Sequence, residues 1–428
     1  MFDQGGLSLD QAPPISVVFR FFFGGAIFGM LAGFLILVFK NTIFLSYSKE
    51  ALVLTHTLTL GVMLSFMFAA LFQMLPVIAG VTLKSPIKRA NLVQYPFVLG
   101  TTLLLFAFWF SNSLLFALAS LFLASSILYI VSVMLTNLVK LKNHSSSSKG
   151  MLFALLSLVF VVFLALYLTA TLVGVNSGEY YSSIKESHYS FGLFGWIALL
   201  IVSISFQVIE MFYVTPAYPK LLSKYLALSL VVLLVASSIV KLFTNVFDTA
   251  ITIGIVFMLI SYAIVTLKRL TQRKRPLTDA TVWFWRFGLS SLIVSMLLLL
   301  SQEFSQVQSI KALSYIFFAS FALSIVFAMF YKIVPFLTWF HLNSQGYFTA
   351  PMMHEIIHPK VAMKHLYIHL STVLLLVLSV FISWLIFVAG VLTIVSFGLI
   401  AYHTINAHLI YVKTQKSGEK FDMGSLNM

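Results

Sequence analysis

The chain has no cysteine in 428 residues, and only 9% of its residues are charged. Without thiols there is no disulfide, no iron–sulfur cluster and no thiolate metal site. Any bound metal or haem must then be held by His, Met, Tyr or carboxylate. Acidic residues are the scarcest: 12 Asp and Glu stand against 26 Lys and Arg, a formal net charge of +14. Long polar stretches are missing too, the longest being about 15 to 25 residues, which leaves no room for a soluble domain. The ten-residue alternation of a membrane β-barrel is also absent. What fills the chain is apolar: 60% of residues are hydrophobic and 43 are Phe, with a mean hydropathy of +1.02. The apolar runs are about 20 residues long, enough for a helix to cross the hydrocarbon core. The fold class expected is all-α, a polytopic transmembrane bundle.

Twelve such runs lie at 16–39, 51–76, 93–111, 113–138, 151–173, 190–215, 225–242, 247–267, 282–301, 312–338, 362–387 and 389–412. They make residues 1–428 a single integral membrane domain ending in a tail at 413–428. Asp3 and Asp10 precede the first run where a cleavable signal would carry basic residues, so that run is expected to stay as a helix. The positive charge sits in alternate loops. Lys84, Lys88 and Arg89 follow span 2; Lys140, Lys142 and Lys149 follow span 4; Lys220 and Lys224 follow span 6; Lys268, Arg269, Arg273, Lys274 and Arg275 follow span 8. The positive-inside rule then places both termini in the cytoplasm, in a bacterial-type inner (plasma) membrane. The lysines and arginines are read as anchors to an anionic lipid leaflet, and no nucleic-acid partner is implied.

A weak internal repeat divides the chain into three groups of four spans, at about 16–140, 151–267 and 282–412. Span 2 ends in FQMLP at 72–76, span 6 in FQVIEMFYVTP at 206–216 and span 10 in MFYKIVP at 329–335. Matching repeats would set spans 2, 6 and 10 at equivalent places around a central axis. Phe, Met and Pro near a helix end are common, so chance is the alternative to the true repetition that this reading favours.

The histidines carry the functional signal, because an ionisable side chain inside hydrocarbon is costly unless it faces the protein interior. His56 lies 20 residues before Pro76, about 30 Å at 1.5 Å per helical residue, which puts it at the outer membrane edge. His188 heads span 6 in HYSFGLFGW, at or just above the same interface.

Twelve spans in three four-helix arcs, with a histidine opening span 2 in HTLTLG, resemble subunit I of the haem-copper oxidase superfamily. The chain is still more similar to that superfamily's divergent relatives, such as the NnrS family of haem- and copper-containing membrane proteins linked to nitric oxide stress. The resemblance implies haem as a cofactor, with His56 as an axial ligand. The departures bear on chemistry. Where the oxidases have two histidines in span 10, this chain reads KALSYIFF, with Ser314 and Tyr315 at the matching depth. Span 7 reads KYLALSLVVLLVASSIVKLF and offers no copper-ligating histidine. A usual binuclear oxygen-reducing centre is therefore not expected.

A second group of histidines lies toward the opposite side. His365 and His369 open span 11 four residues apart, on one helix face, and His403 lies in span 12. Together they are a candidate metal site, against the simpler reading of hydrogen bonds between helices. The loop sequence HEIIH, with His354 and His358, matches the zinc-protease pattern. Pro351 and Pro359 bracket it and leave at most about two turns of helix, so a metal role there does not imply a protease.

Glu210 and Lys332 interrupt apolar runs near the terminal prolines of spans 6 and 10. They are expected to form a buried ion pair across the axis or, with Gln73 and Gln207, a proton path. Met63, Met67, Met74 and Met211 offer soft ligands for copper, although methionines at helical spacing commonly just pack. The reading reached is a haem- or metal-binding membrane protein linked to respiration or to nitric oxide or copper stress. If it is an enzyme, it is an oxidoreductase. Its partners would be the lipid bilayer and a respiratory electron donor or a second copy of itself. A cofactor-free secondary transporter and an assembly partner for a respiratory complex are the rival classes.

Overall fold

The computed structural model describes residues 12–244, 246–274, 278–305, 307–417 and 420. Asp3, Asp10, Arg275 and the tail beyond 417, apart from Lys420, lie outside the described residues. Twelve helices are long and apolar enough to cross a membrane. They are Ile15–Phe44, Lys49–Val77, Pro86–Phe110, Ser113–Val139, Ser146–Leu172, Tyr181–Tyr213, Lys220–Phe243, Asp248–Thr271, Ala280–Gln302, Gln308–Ser344, Pro359–Ser379 and Leu385–Lys416. In chain order they are spans 1 to 12. No β-strand occurs among the described residues, and the all-α polytopic bundle expected from composition is what forms.

Helix ends differ from the apolar runs where polar residues are good helix formers. Span 3 begins at Pro86, because proline at the first helical position gives up an N–H that has no acceptor anyway. Span 6 begins at Tyr181, its polar first turns carrying Lys185, Glu186 and His188. Span 11 stops at Ser379, short of 387. Span 12 continues through 413–416, so the first residues assigned to a tail are helical.

Each span packs on the next, and span 12 closes the ring on span 1. Spans 1, 5 and 9 each pack against the two spans that follow them. Span 1 packs closely on spans 2 and 12, where its Gly25, Gly29 and Gly33 recur every four residues and let neighbouring helices come near. A Cβ on Gly29 would lie 2.1 Å from the Phe397 ring of span 12, and one on Gly33 would lie 2.8 Å from the Ile394 backbone nitrogen.

Spans 2 and 6 are the innermost, with 78% of their apolar windows buried against 28–56% for the rest. With span 10 they line a cavity of about 60 Å³ on the axis, closed at the sides by Phe22 of span 1 and Trp285 of span 9.

Candidate functional site

Spans 2 and 6 share a local irregularity next to their histidines. After His56 the helix widens into a π-helical stretch, Thr57–Leu64, before returning to α geometry at Ser65. After His188 the same happens over Phe191–Ala198, with α geometry resuming at Leu199. Such insertions shift the face a helix presents and often mark functional positions. Here they place each histidine at the start of a re-aimed inner helix.

The two imidazoles are in the same hydrogen-bonding state. His56 Nδ1 is 2.8 Å from the Leu52 carbonyl oxygen, and His188 Nδ1 is 3.2 Å from that of Val161. A carbonyl only accepts, so in each ring Nδ1 carries the proton and donates it. In the neutral ring Nε2 then keeps a free lone pair. This is the tautomer a metal-ligating histidine uses when its other nitrogen is anchored to main chain. His56 also packs on Phe108 of span 3, ring centroids 4.8 Å apart. Both side chains are half-buried, as are Thr59, Leu60 and Leu193 deeper along spans 2 and 6. A Cβ added at Gly192, one turn below His188, would meet nothing within 4 Å. Neither histidine is sealed in the core, and the helix surface at Gly192 beside His188 is uncrowded.

Two cations gather on one tyrosine ahead of span 2. Lys185 of span 6 lies 3.9 Å and Lys311 of span 10 lies 4.7 Å from the centre of the Tyr47 ring, which the loop before span 2 supplies. Ser314 and Tyr315, at the matching depth of span 10, bring no nitrogen. Ser314 Oγ donates to the Ser295 carbonyl of span 9, and Tyr315 is exposed.

His365, His369 and His403 are all buried, with 0%, 3% and 7% exposure. Both nitrogens of His365 are engaged, Nδ1 with the Tyr331 hydroxyl at 2.9 Å and Nε2 with the Ser396 hydroxyl at 2.6 Å. His369 Nε2 meets the Ser324 hydroxyl at 2.9 Å. Phe284 and Phe327 pack on both rings. Hydrogen bonds between spans 10, 11 and 12 thus account for His365 and His369, while His403 Nδ1 is buried with no partner. Among the described residues no group of three or more His, Asp or Glu side chains is placed to hold a metal ion.

The HEIIH segment does not form the two-turn helix that a zinc site would need. His354 sits in a four-residue helix, Met353–Ile356, whose Glu355 carboxylate accepts from the Met352 N–H. His358 is extended, as a residue before proline prefers, and its Nδ1 caps span 11 by accepting from the Lys360 N–H. The two histidines therefore do not share a helix face, and both are exposed.

Lys332 and Glu210 do not pair with each other. Lys332 donates to Asp279 Oδ2 at 2.6 Å, whereas Glu210 accepts from the Tyr218 backbone N–H at 2.9 Å. The reason is local: Asp279 is the N-cap of span 9, already accepting from the Val282 N–H and the Thr281 hydroxyl, and its free oxygen faces span 10. Burial opposes charge on Asp279, but the Lys332 ammonium and these donors hold its carboxyl below the usual carboxylate range. Gln73 Oε1 is buried without a partner, and no hydrogen bond joins Gln73, Gln207 and Glu210 among the described residues. Asp279, Tyr331, Ser396 and Ser324 were not picked out in the sequence. Asp279 had the one readable signal, an acidic residue three positions before a helical N–H it can cap.

The architecture defines a polytopic α-helical membrane protein with twelve candidate spans. No protein-family model matches the chain, and comparison with characterised protein sequences finds no match either.

Proposed function

We propose that this is a haem-binding membrane protein, with His56 and His188 as the residues that hold the haem iron, acting in respiration or in the response to nitric oxide or copper. The observation that carries the reading is the pair itself. Two imidazoles on the two most buried spans both donate Nδ1–H to main-chain carbonyls and both keep Nε2 free. The donor set suits iron in a porphyrin, for which a neutral, anchored imidazole is the common protein ligand. No neighbouring atom crowds Gly192 beside His188, and Lys185 and Lys311 offer positive charge to haem carboxylates. Bound there, haem would supply one-electron transfer. The chain's own part would be to anchor both imidazoles through their Nδ1–H groups and to exclude water with the apolar side chains of spans 2 and 6. With no third nitrogen at Ser314 or Tyr315, a binuclear oxygen-reducing centre forms no part of the proposal. The basic loops favour an inner-membrane orientation with both termini cytoplasmic and the histidine pair toward the outer side.

The test is an absorption spectrum of the detergent-purified chain, oxidised and then dithionite-reduced, for wild type, His56→Ala and His188→Ala. The expected result is a Soret band that shifts on reduction in wild type and is lost or blue-shifted in each variant. A flat spectrum from folded, haem-replete wild type, or full haem retention in both variants, would overturn the reading. A cofactor-free transporter would then move ahead.

A further inference from the structure

The loop after span 6 folds back onto the end of span 8. Tyr218 donates its hydroxyl proton to Thr266 of span 8 at 3.1 Å, and its N–H donates to Glu210 of span 6 at 2.9 Å. At the head of the loop the Lys274 N–H donates to the Val214 carbonyl at 3.0 Å. Val214 caps span 6 at φ +52°, in the left-handed region that a β-branched residue enters only under strain. Strain of this kind persists where the surroundings impose it, and it gathers at ligand clamps.

Three polar atoms along this seam are buried and have no hydrogen-bond partner: Thr215 Oγ1, Arg273 Nη1 and Arg269 Nε. Thr215 and Arg273 flank the bond between Val214 and Lys274. Arg269 lies three residues beyond Thr266, on the helix face that Tyr218 covers. Both guanidinium groups are oriented by another nitrogen, Arg273 through Nη2 to Thr278 and Arg269 through Nη1 to Gln272 at 2.7 Å. Neither arginine forms an ion pair with a carboxylate among the described residues. The carboxylates on the adjoining elements are engaged elsewhere, Asp279 with Lys332 and Glu210 with Tyr218. Buried donors without acceptors are rare, and charged ones are the most costly to leave so. All three residues are only half-buried, within reach of the surface. What the seam lacks is an anion with several acceptor oxygens.

We infer that this seam between the loop after span 6 and the end of span 8 is a binding site for a phosphate group, held by Arg269, Arg273 and the Thr215 hydroxyl. Two guanidinium groups and a hydroxyl suit an anion with several oxygens, whereas one arginine fork already fills a carboxylate. The headgroup of an anionic phospholipid and a free phosphate offer the same chemistry. The seam lies at the opposite end of span 6 from His188 and does not rest on the haem proposal.

The experiment uses the full-length chain purified in a non-ionic detergent. Native mass spectrometry reads what is bound on purification, and again on titration with inorganic phosphate or with phosphatidylglycerol in mixed micelles, at ionic strength held constant with chloride. Wild type is compared with Arg269→Gln, Arg273→Gln and Arg273→Lys, which keeps the charge but loses the fork. Lys274→Gln controls for surface charge, since Lys274 is exposed and gives the seam only a backbone N–H that glutamine retains. Gel filtration checks that each variant is folded. Wild type should bind saturably. Saturation by phosphatidylglycerol alone identifies a headgroup site, and saturation by inorganic phosphate identifies a soluble ligand. Each arginine variant should bind about tenfold more weakly, as expected for loss of a charge-assisted fork, and Lys274→Gln should stay within about twofold of wild type. No saturable binding of either probe to wild type would overturn the assignment. So would full affinity in the folded arginine variants, or equal weakening in Lys274→Gln. Haem is read from the visible spectrum and phosphate from mass, so either proposal can fail alone.

Discussion

His188 of span 6 and His56 of span 2 share one arrangement, each ring being oriented by a single bond from Nδ1–H to a main-chain carbonyl. The two acceptors differ in kind. Leu52 is one turn back on the same helix as His56, whereas Val161 belongs to span 5, so His188 also ties span 6 to its neighbour. If both rings serve one iron, they act as a unit, and effects of removing units are not additive. Either single alanine variant should therefore abolish the low-spin reduced-minus-oxidised difference spectrum as completely as the double variant. A graded loss, half from each, would indicate two independent sites.

Asp279 gives a pH prediction whose sign can be worked out. Its folded pKa is lowered, so the folded state binds this proton less readily than the unfolded chain does. The Asp279–Lys332 pair therefore contributes fully above the unfolded Asp value of about 3.9, and its contribution is lost as pH falls through the lower folded value. The Asp279 side chain is 41% exposed, so solvent screens the pair and its worth is about 1 kcal/mol or less. Asp279→Asn should lower thermal stability slightly at neutral pH and by a smaller amount at about pH 3, below the unfolded Asp value, where the pair's contribution is declining. Melting curves of the detergent-solubilised protein at the two pH values check this. Glu210→Gln, by contrast, should have no such pH signature from Lys332, because the two do not pair.

Residue by residue, what could be read in the sequence was what depends on local hydrophobicity. All twelve spans were legible because about 20 apolar residues in a row have few other uses. His56 and His188 stood out because a histidine at the edge of such a run is costly. Their hydrogen-bonding state was not legible, since Leu52 and Val161 contribute backbone oxygens that any residue carries. The Lys332 partner was misread for a related reason. Two opposite charges on inner helices looked complementary, but the ion pair went to an N-cap aspartate outside any apolar run. The stripe Gly25, Gly29, Gly33 was not picked out in the sequence, and its contacts, Gly25 with span 2 and Gly29 and Gly33 with span 12, depend on ring closure between the two ends of the chain.

That closure supplies the next prediction. A Cβ on Gly29 would stand 2.1 to 2.5 Å from three carbons of the Phe397 ring, and Phe397 is itself 1% exposed with little room to turn. Gly29→Val should force spans 1 and 12 apart and cost about 1 to 3 kcal/mol, the usual range for overpacking. Gly192→Ala should cost far less by that mechanism, because open space surrounds it. Gel-filtration stability on heating compares the two. Equal losses would mean that the contact between spans 1 and 12 is not what holds the ring.

The buried chain Tyr331–His365–Ser396 links spans 10, 11 and 12 through one imidazole. A neutral ring has one donor nitrogen and one acceptor nitrogen, so one hydroxyl donates to it and the other accepts from it. Removing the ring alone strands both hydroxyls in a wall of Phe284 and Phe327. Each stranded group costs about 1 kcal/mol in a membrane interior, where measured interhelical hydrogen bonds are modest. His365→Leu should therefore destabilise more than Tyr331→Phe/His365→Leu/Ser396→Ala, in which no hydroxyl is left without a partner. The same order should hold for exchange of backbone amides at the start of span 11, measured by mass spectrometry. If the triple variant is instead the less stable, or if His365→Leu alone removes a bound metal, the imidazole has a role beyond joining the helices.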